Sequence, residues 1–481
     1  MDKYFYAEKK GSTGDVRGDF NVRLGDDQPD GIFAEWHWNG AKLVLKNDRY
    51  GFYPIYYAEN KSGFAVSSSI RKLLELGFSA ELDDAAFAVF LRFSAYLAQD
   101  TPFKEIRAVP PDAVLTWEQG AVKIVAEEFS HPPPLRISRR EAVATYAALF
   151  QKAVEKTLPA DDFVVPLSGG RDSRHIVLAL DKIGRKPAAC VTVRHPPPRS
   201  DEDARVAQEI CRAAGIEHLT FEQTGTKFDS EVRKNVETSY CAFEHGWFVA
   251  LAEQIRGRWE TVYDGIAGDV LSAGLFLDAA KLNLFERGKF AELAEHILFP
   301  EAYLPVLLTK KSYRSFSREL AVTRFAEELS RHAAAPNPVG SFYFWNRTRR
   351  CIALSPFGLF GDSMRIITPY LDRETFDFLV SLPAEMFSDQ QFHTETIAFA
   401  YPKYAAVGYE KKEAGGAAAH PDFQRYSREI LKFGLTGRSK ELTNRGFLIS
   451  RCLRGMIDKS YSRNVVDFGM MAILLLQLER L

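Results

Sequence analysis

Cysteine is scarce and placed where it can do little chemistry. The 481-residue chain has five, Cys190, Cys211, Cys241, Cys351 and Cys452. They are odd in number, scattered and without a C-x-x-C pair, which excludes a disulfide scaffold, a cysteine-type zinc site and a thioredoxin-like redox centre, and leaves five small buried hydrophobes. An excess of one charge is also missing: 62 basic against 63 acidic side chains leave a net charge of −1. There is no global attraction to phosphate backbones or anionic lipid, and no local basic patch stands out. No run approaches the roughly 18 apolar residues of a membrane helix, and the longest near the end, residues 470–476, reads as a buried helix. The start, MDKYFYAEKK, carries charges where a secretory leader needs an apolar core. The expectation is a cytoplasmic protein that binds neither nucleic acid nor membrane. No repeat of fixed period and no low-complexity tract is found. What is present, 46% hydrophobic and 26% charged residues, describes an ordinary globular chain long enough for two or three domains, with two expected.

The first 130 residues read as strands and turns: GIFAEWHW, then Asn39-Gly40 as a hairpin turn, KLVLKN, DRYGFYPIYYAEN and GFAVSS. Residues 82–97 look helical, and residues 101–129 return to strands. This predicts an α+β unit of mainly antiparallel, sandwich-like sheet over residues 1–130. His131-Pro132-Pro133-Pro134 can continue neither a helix nor a central strand, so residues 131–138 are expected to be a linker. Ser138 and Glu141 then form an S-x-x-E capping box ahead of Val143, Ala147, Phe150 and Val154 at helical spacing. From there the pattern alternates short apolar strands (FVVPL, AACVTV, HLTF, ETVYDG) with helices, which predicts an α/β domain with a parallel sheet over residues 139–481, mostly helical after about residue 276.

The most informative segment is Val164-Val165-Pro166-Leu167-Ser168-Gly169-Gly170-Arg171-Asp172-Ser173. A buried strand runs into two glycines and then a helix, so backbone N–H groups and the positive helix end converge where an anion can sit. Gly169 and Gly170 allow close approach, and Ser168 and Ser173 add hydroxyl donors. Asp172 is a poor phosphate ligand by itself and makes sense if it holds Mg²⁺. The inventory suits a polyphosphate with a magnesium ion, and it matches neither G-x-x-x-x-G-K-[ST] nor G-x-G-x-x-G.

SGGRDS resembles the pyrophosphate loop of the N-type ATP pyrophosphatases and, more narrowly, of the asparagine synthetase family. Four further segments follow in that family's order. Asp48-Arg49-Tyr50-Gly51-Phe52-Tyr53-Pro54 through Ser69 is similar to the middle of its glutaminase-type domain. Ser200-Asp201-Glu202 resembles the start of a helix in its adenylation domain. Gly265-Ile266-Ala267-Gly268-Asp269 resembles its second nucleotide and magnesium loop, and Pro369-Tyr370-Leu371-Asp372 with Ser381-Leu382-Pro383 resembles its PFLD…SLP segment. The resemblance implies an N-terminal Ntn-type domain followed by a PP-loop synthetase domain that uses ATP and Mg²⁺. It implies that Asp172 and Asp269 hold the metal, that Ser168, Gly169, Gly170 and Ser173 cradle the β,γ-phosphates with Gly265 and Gly268 in the second loop, and that the backbone at Leu167 and Val193 meets adenine. A late lysine, Lys411 or Lys412, would neutralise charge on the phosphates, and residues 415–419 would close over the adenylate.

The sequence departs from the family at two places. Glutamine-using members carry a cysteine after the initiator methionine; here that residue is Asp2, and no cysteine precedes Cys190. The N-terminal domain then reads as a fold relic supporting the synthetase, and the acyl-adenylate must be captured by free ammonia or by an amine that the small-molecule or peptide substrate already carries, the second as in the β-lactam synthetases and lasso-peptide cyclases. Where the family often has Glu or Tyr three residues before the loop aspartate, this chain has Ile266, which cannot move a proton; Tyr263, Asp264, Glu237, Glu244 and His245 are candidate bases. Arg347, Arg349 and Arg350 in WNRTRR either meet a substrate carboxylate or form a solvated helical face, the second being preferred. An ammonia-dependent asparagine synthetase and an inactive ATP-binding regulatory homologue remain alternatives. A tRNA-thiolating or other PP-loop enzyme would need sulfur-handling cysteines or an RNA-binding basic patch, and neither is visible in this sequence. A homodimer is compatible with the sequence.

Overall fold

A computed structural model describes residues 2–8, 15–28, 30–126, 131–194, 201–410, 421–436 and 441–481. The N-terminal part is two five-stranded antiparallel sheets. One has the order β2 (Val16–Gly18), β1 (Tyr4–Glu8), β7 (Gly63–Ser67), β6 (Tyr56–Glu59), β8 (Ile106–Ala108). The other runs β10 (Ala121–Ala126), β9 (Ala113–Glu118), β5 (Lys42–Asn47), β4 (Phe33–Trp38), β3 (Asn21–Gly25). Alternation sets their inner faces: Ala34 and Trp36, Leu43 and Leu45, and Leu115 and Trp117 are buried at every second position. The ring of Phe64 in β7 stacks on Trp117 in β9 at 6.0 Å, so the sheets face each other as a sandwich. The β4–β5 turn forms as expected. Gly40 sits at φ +95°, a conformation that suits glycine, and Asn39 Oδ1 accepts from the N–H groups of Ala41 and Lys42.

DRYGFYPIYYAEN is not one strand. Only Tyr56–Glu59 pairs, because the Asp48 carboxylate gathers the N–H groups of Tyr50, Phe52 and Tyr53 at 2.9–3.3 Å and bends the preceding segment into a compact turn. That turn faces the second domain. Tyr50 donates its hydroxyl to Leu371 O at 2.8 Å and packs on Phe376, and Phe52 packs on Phe344.

The second part opens with the helix Arg139–Lys156, started by a complete Ser138–Glu141 capping box. Its parallel sheet has the order β13 (His218–Phe221), β12 (Ala189–Val193), β11 (Phe163–Pro166), β14 (Thr261–Tyr263), β15 (Arg365–Ile367). From β11 the chain works outward through β12 and β13, then returns to the other side of β11 with β14 and β15. The direction of winding therefore reverses between β11 and β14, and a crevice opens at their carboxyl edge. An Ntn-type antiparallel domain thus precedes a PP-loop domain. The helix Ser462–Leu478 buries the last apolar run, and no helix among the described residues is long and apolar enough to cross a membrane. All five cysteines are free and buried.

WNRTRR is not a solvated face. It lies in a π-helical stretch, Phe344–Ile352, with Arg349 and Arg350 only 2% and 3% exposed. Arg349 donates to the carbonyls of Gly51, Ala98 and Val109, and Arg350 to that of Asp100, so these guanidiniums satisfy the N-terminal domain's loop carbonyls. Burial of a guanidinium requires such partners, and the N-terminal domain supplies them.

Candidate active site

The crevice holds a cavity of about 320 Å³. At its floor the loops after β11 and β14 interlock. A Cβ at Gly265 would lie 2.9 Å from Asp172 Cβ, and one at Gly268 would lie 2.6 Å from Asp172 Oδ1. Both glycines are therefore needed for the second loop to reach the first. This brings Asp172 and Asp269 together although they are far apart in sequence. Burial, and then the charge of Asp269, hold the Asp172 carboxyl well above its usual range, and burial raises Asp269 against the pull of Arg347. Asp172 Oδ1 is buried without a hydrogen-bond partner.

The helix Asp172–Ile183 begins with no side-chain cap, so its first N–H groups are left for an anion at the cavity. Ser173 Oγ accepts from Ser168 N at 3.1 Å and lies 3.3 Å from Ser168 Oγ, which in turn accepts from Gly170 N. Leu167 and Val193 line the cavity with Pro166 and Thr192. The backbone of Leu167 is engaged, its N–H with Val191 O and its C=O with Thr192 Oγ1.

Behind Asp172 is a buried polar chain that the sequence did not reveal. His175 Nδ1 is 3.1 Å from His393 Nε2, His393 Nδ1 is 3.4 Å from Asp172 Oδ1, and Tyr370 donates to Asp172 O at 3.1 Å. Burial pushes His393 down to about 3 and His175 well below its usual value, so both rings are neutral. Their contacts span some 220 residues of chain, beyond any local signal.

Asp203 was also missed. Of the segment beginning Ser200-Asp201-Glu202, Ser200 lies outside the described residues, and the next residue, Asp203, reaches the loop, accepting from Gly169 N at 2.7 Å. Glu410 donates its N–H to Gly169 O at 3.1 Å, and Arg174 binds the carbonyls of Val407 and Gly408 under the Tyr409 ring. Lys411, Lys412 and residues 415–419 follow and lie outside the described residues.

The candidate bases separate clearly. Tyr263 donates to Thr157 O, away from the cavity, and Glu237 lines a different cavity, between the two domains. Asp264 and His245 line this one, and Arg347 donates to both oxygens of Glu244 at its rim. Ile266 lines it as an apolar wall.

Residues 26–129 match the glutamine amidotransferase domain and residues 145–347 match asparagine synthase. With that synthase domain behind the sandwich, the chain is in class an ATP-dependent carbon–nitrogen ligase. It belongs to the asparagine synthetase-like family. No curated protein matches it. Among solved structures it is similar to an NMN synthetase from Francisella tularensis at 15% identity and a TM-score of 0.18, over 58% of this chain and 99% of that one.

Proposed function

We propose that the chain adenylates a substrate carboxylate with ATP, releasing pyrophosphate, and transfers the acyl group to an amine on the same or another small molecule or peptide, without hydrolysing glutamine. The observation that carries this reading is the meeting of Asp172 and Asp269 at the floor of a cavity bounded by the uncapped helix start and the Ser168-Gly169-Gly170 turn.

Two carboxylates, one with a buried oxygen that nothing satisfies, suit Mg²⁺, which takes few protein ligands and completes its shell with phosphates and water. When bound, the ion supplies charge neutralisation on the phosphates. Asp172 and Asp269 would hold it, Ser168, Gly170 and Ser173 would contact the β,γ-phosphates, and Leu167 and Val193 would flank the base. Lys411 or Lys412, following directly on Glu410, would add positive charge as pyrophosphate leaves. The absence of any cysteine before Cys190 supports an amine source other than glutamine in this chain.

Product analysis tests the reading. Purified protein with Mg²⁺-ATP and a pool of amino acids and peptides is expected to yield AMP and pyrophosphate, abolished in Asp172→Ala. ADP as product, or near-normal AMP in the variant, would overturn it. Tight ATP binding without turnover would instead identify an ATP-binding regulatory homologue. Ile266 in the second loop and the commitment of Gly169 N to Asp203 favour that second reading.

A further inference from the structure

The floor of the cavity rests on two buried tyrosines that the proposed reaction does not use. Tyr146 and Phe150 stand one turn apart on the helix Arg139–Lys156, so they share a face. The Tyr370 ring packs on Phe150 at 4.6 Å. Tyr146, Tyr370 and Ser272 are all buried, where hydroxyls are hydrogen-bonded.

The two tyrosine hydroxyls serve different loops. Tyr370 donates to Asp172 O at 3.1 Å, and its ring lies so near the second loop that a Cβ at Gly268 would be 2.8 Å from Tyr370 Cζ. Tyr146 donates to Ser272 Oγ at 3.1 Å, and Ser272 Oγ donates to Gly268 O at 2.7 Å. The Gly268 carbonyl shares a planar peptide unit with Asp269 N. Holding that carbonyl therefore fixes the plane from which Asp269 projects, as holding Asp172 O fixes the backbone that carries Asp172. The Tyr370 hydroxyl is also 3.3 Å from His393 Nε2, on the ring whose Nδ1 stands 3.4 Å from Asp172 Oδ1.

We infer that Tyr370 and Tyr146, the second acting through Ser272, are positioning residues that set the spacing of the Asp172 and Asp269 carboxylates for a divalent cation. The assignment rests on the reading of those two aspartates as the Mg²⁺ ligands. Mg²⁺ demands near-ideal octahedral geometry, with oxygens at about 2.0–2.1 Å, whereas Ca²⁺ accepts longer and more variable contacts. Two carboxylates on separate loops meet the stricter demand only if the loops are fixed to one another. Here both are fixed to one element, because the helix Arg139–Lys156 supplies Tyr146 directly and supports Tyr370 through Phe150. Groups of this kind, which touch the ligand's backbone and not the metal, orient the metal-binding oxygens.

Equilibrium dialysis of the full chain against α,β-methylene-ATP, which cannot release pyrophosphate, tests this with Mg²⁺, with Ca²⁺ and with EDTA. The variants are Tyr370→Phe, Ser272→Ala and the two combined. The combined variant should lose about 10- to 100-fold in affinity for the Mg²⁺ complex, and its affinity for the Ca²⁺ complex should stay within about threefold of the parent, because a loosened pair of loops still suits the more tolerant ion. Each single variant should shift the Mg²⁺ to Ca²⁺ ratio in the same direction, and these decide the matter if the combined variant does not fold. Tyr401→Phe is the control: this buried tyrosine packs on the neighbouring His175 but donates to Gln151 Oε1 at 3.2 Å, and its ratio should match the parent's. Mg²⁺ and Ca²⁺ affinities falling together, an unchanged ratio, or an equal change in Tyr401→Phe would overturn the assignment. A parent chain that takes up the nucleotide equally well in EDTA would instead overturn the metal reading and this assignment with it. Neither result depends on whether ATP is turned over, so the adenylation reading is tested separately.

Discussion

Burial, more than charge, governs two carboxylates of this chain, Asp264 at the cavity between the loops and Asp48 in the N-terminal turn. Asp264 is pushed up to about 6 by burial, with the Ile266 N–H pulling the other way, and Asp48 is likewise raised to about 6 by burial against three N–H donors. For each, the native state binds its proton more tightly than the unfolded chain, whose value is near 3.8. That contribution to stability is complete below the unfolded value and is lost as pH rises from about 4 through about 6, by up to about 3 kcal/mol per group. Asp264→Asn keeps the acceptor for Ile266 N and removes the titration. Its melting temperature should fall less steeply than the parent's between pH 4 and 6, and identical slopes would show that Asp264 ionises as freely folded as unfolded. At this scale the sequence was informative where a residue acts through its immediate neighbours: Ser168, Gly170, Asp172 and Ser173 share one turn. It was silent on Asp203 and His393, whose roles arise from contacts across tens to hundreds of residues.

The π-helical stretch Phe344–Ile352 joins the two domains and also faces the cavity. Arg349 fills three carbonyls of the N-terminal domain, while Arg347, two residues earlier, holds Glu244 at the cavity rim. Arg349→Met would fill similar space and leave those buried acceptors unpaired, at about 1–3 kcal/mol each. Urea unfolding should show a loss of about 3 kcal/mol or more, and a loss under about 1 kcal/mol would mean that the carbonyls find other partners. The spacing of three arginines in six residues reads as a solvated face because local sequence carries no information on what packs above it. The capping box of the helix Arg139–Lys156 and the Asn39-Gly40 turn were legible for the opposite reason, since each is closed within a few residues.

At the scale of the whole molecule, the N-terminal sandwich acts as a structural partner of the ligase domain. Phe344 and Phe376 pack on Tyr50 and Phe52, Phe316 on Phe87, and Phe325 on Phe93. A chain of residues 139–481 alone would present these rings and the buried arginines to water. Expressed without the sandwich, it should aggregate or bind a hydrophobic dye strongly, whereas a soluble monomer with the parent's melting temperature would show the sandwich to be dispensable. The sequence by itself determined the antiparallel-then-parallel order of elements, the Ser168-Gly169-Gly170 turn between a strand and a helix and the capping box that opens the second domain, because alternation, helix caps and glycine pairs are local properties. Only the tertiary structure decided that Asp172 and Asp269 share one floor, that Arg349 and Arg350 tie two domains, that Tyr263 and Glu237 stand away from the cavity and that His245 faces it. Each of these depends on which strand lies beside which, and strand order in a sheet is set by long-range packing that no window of sequence contains.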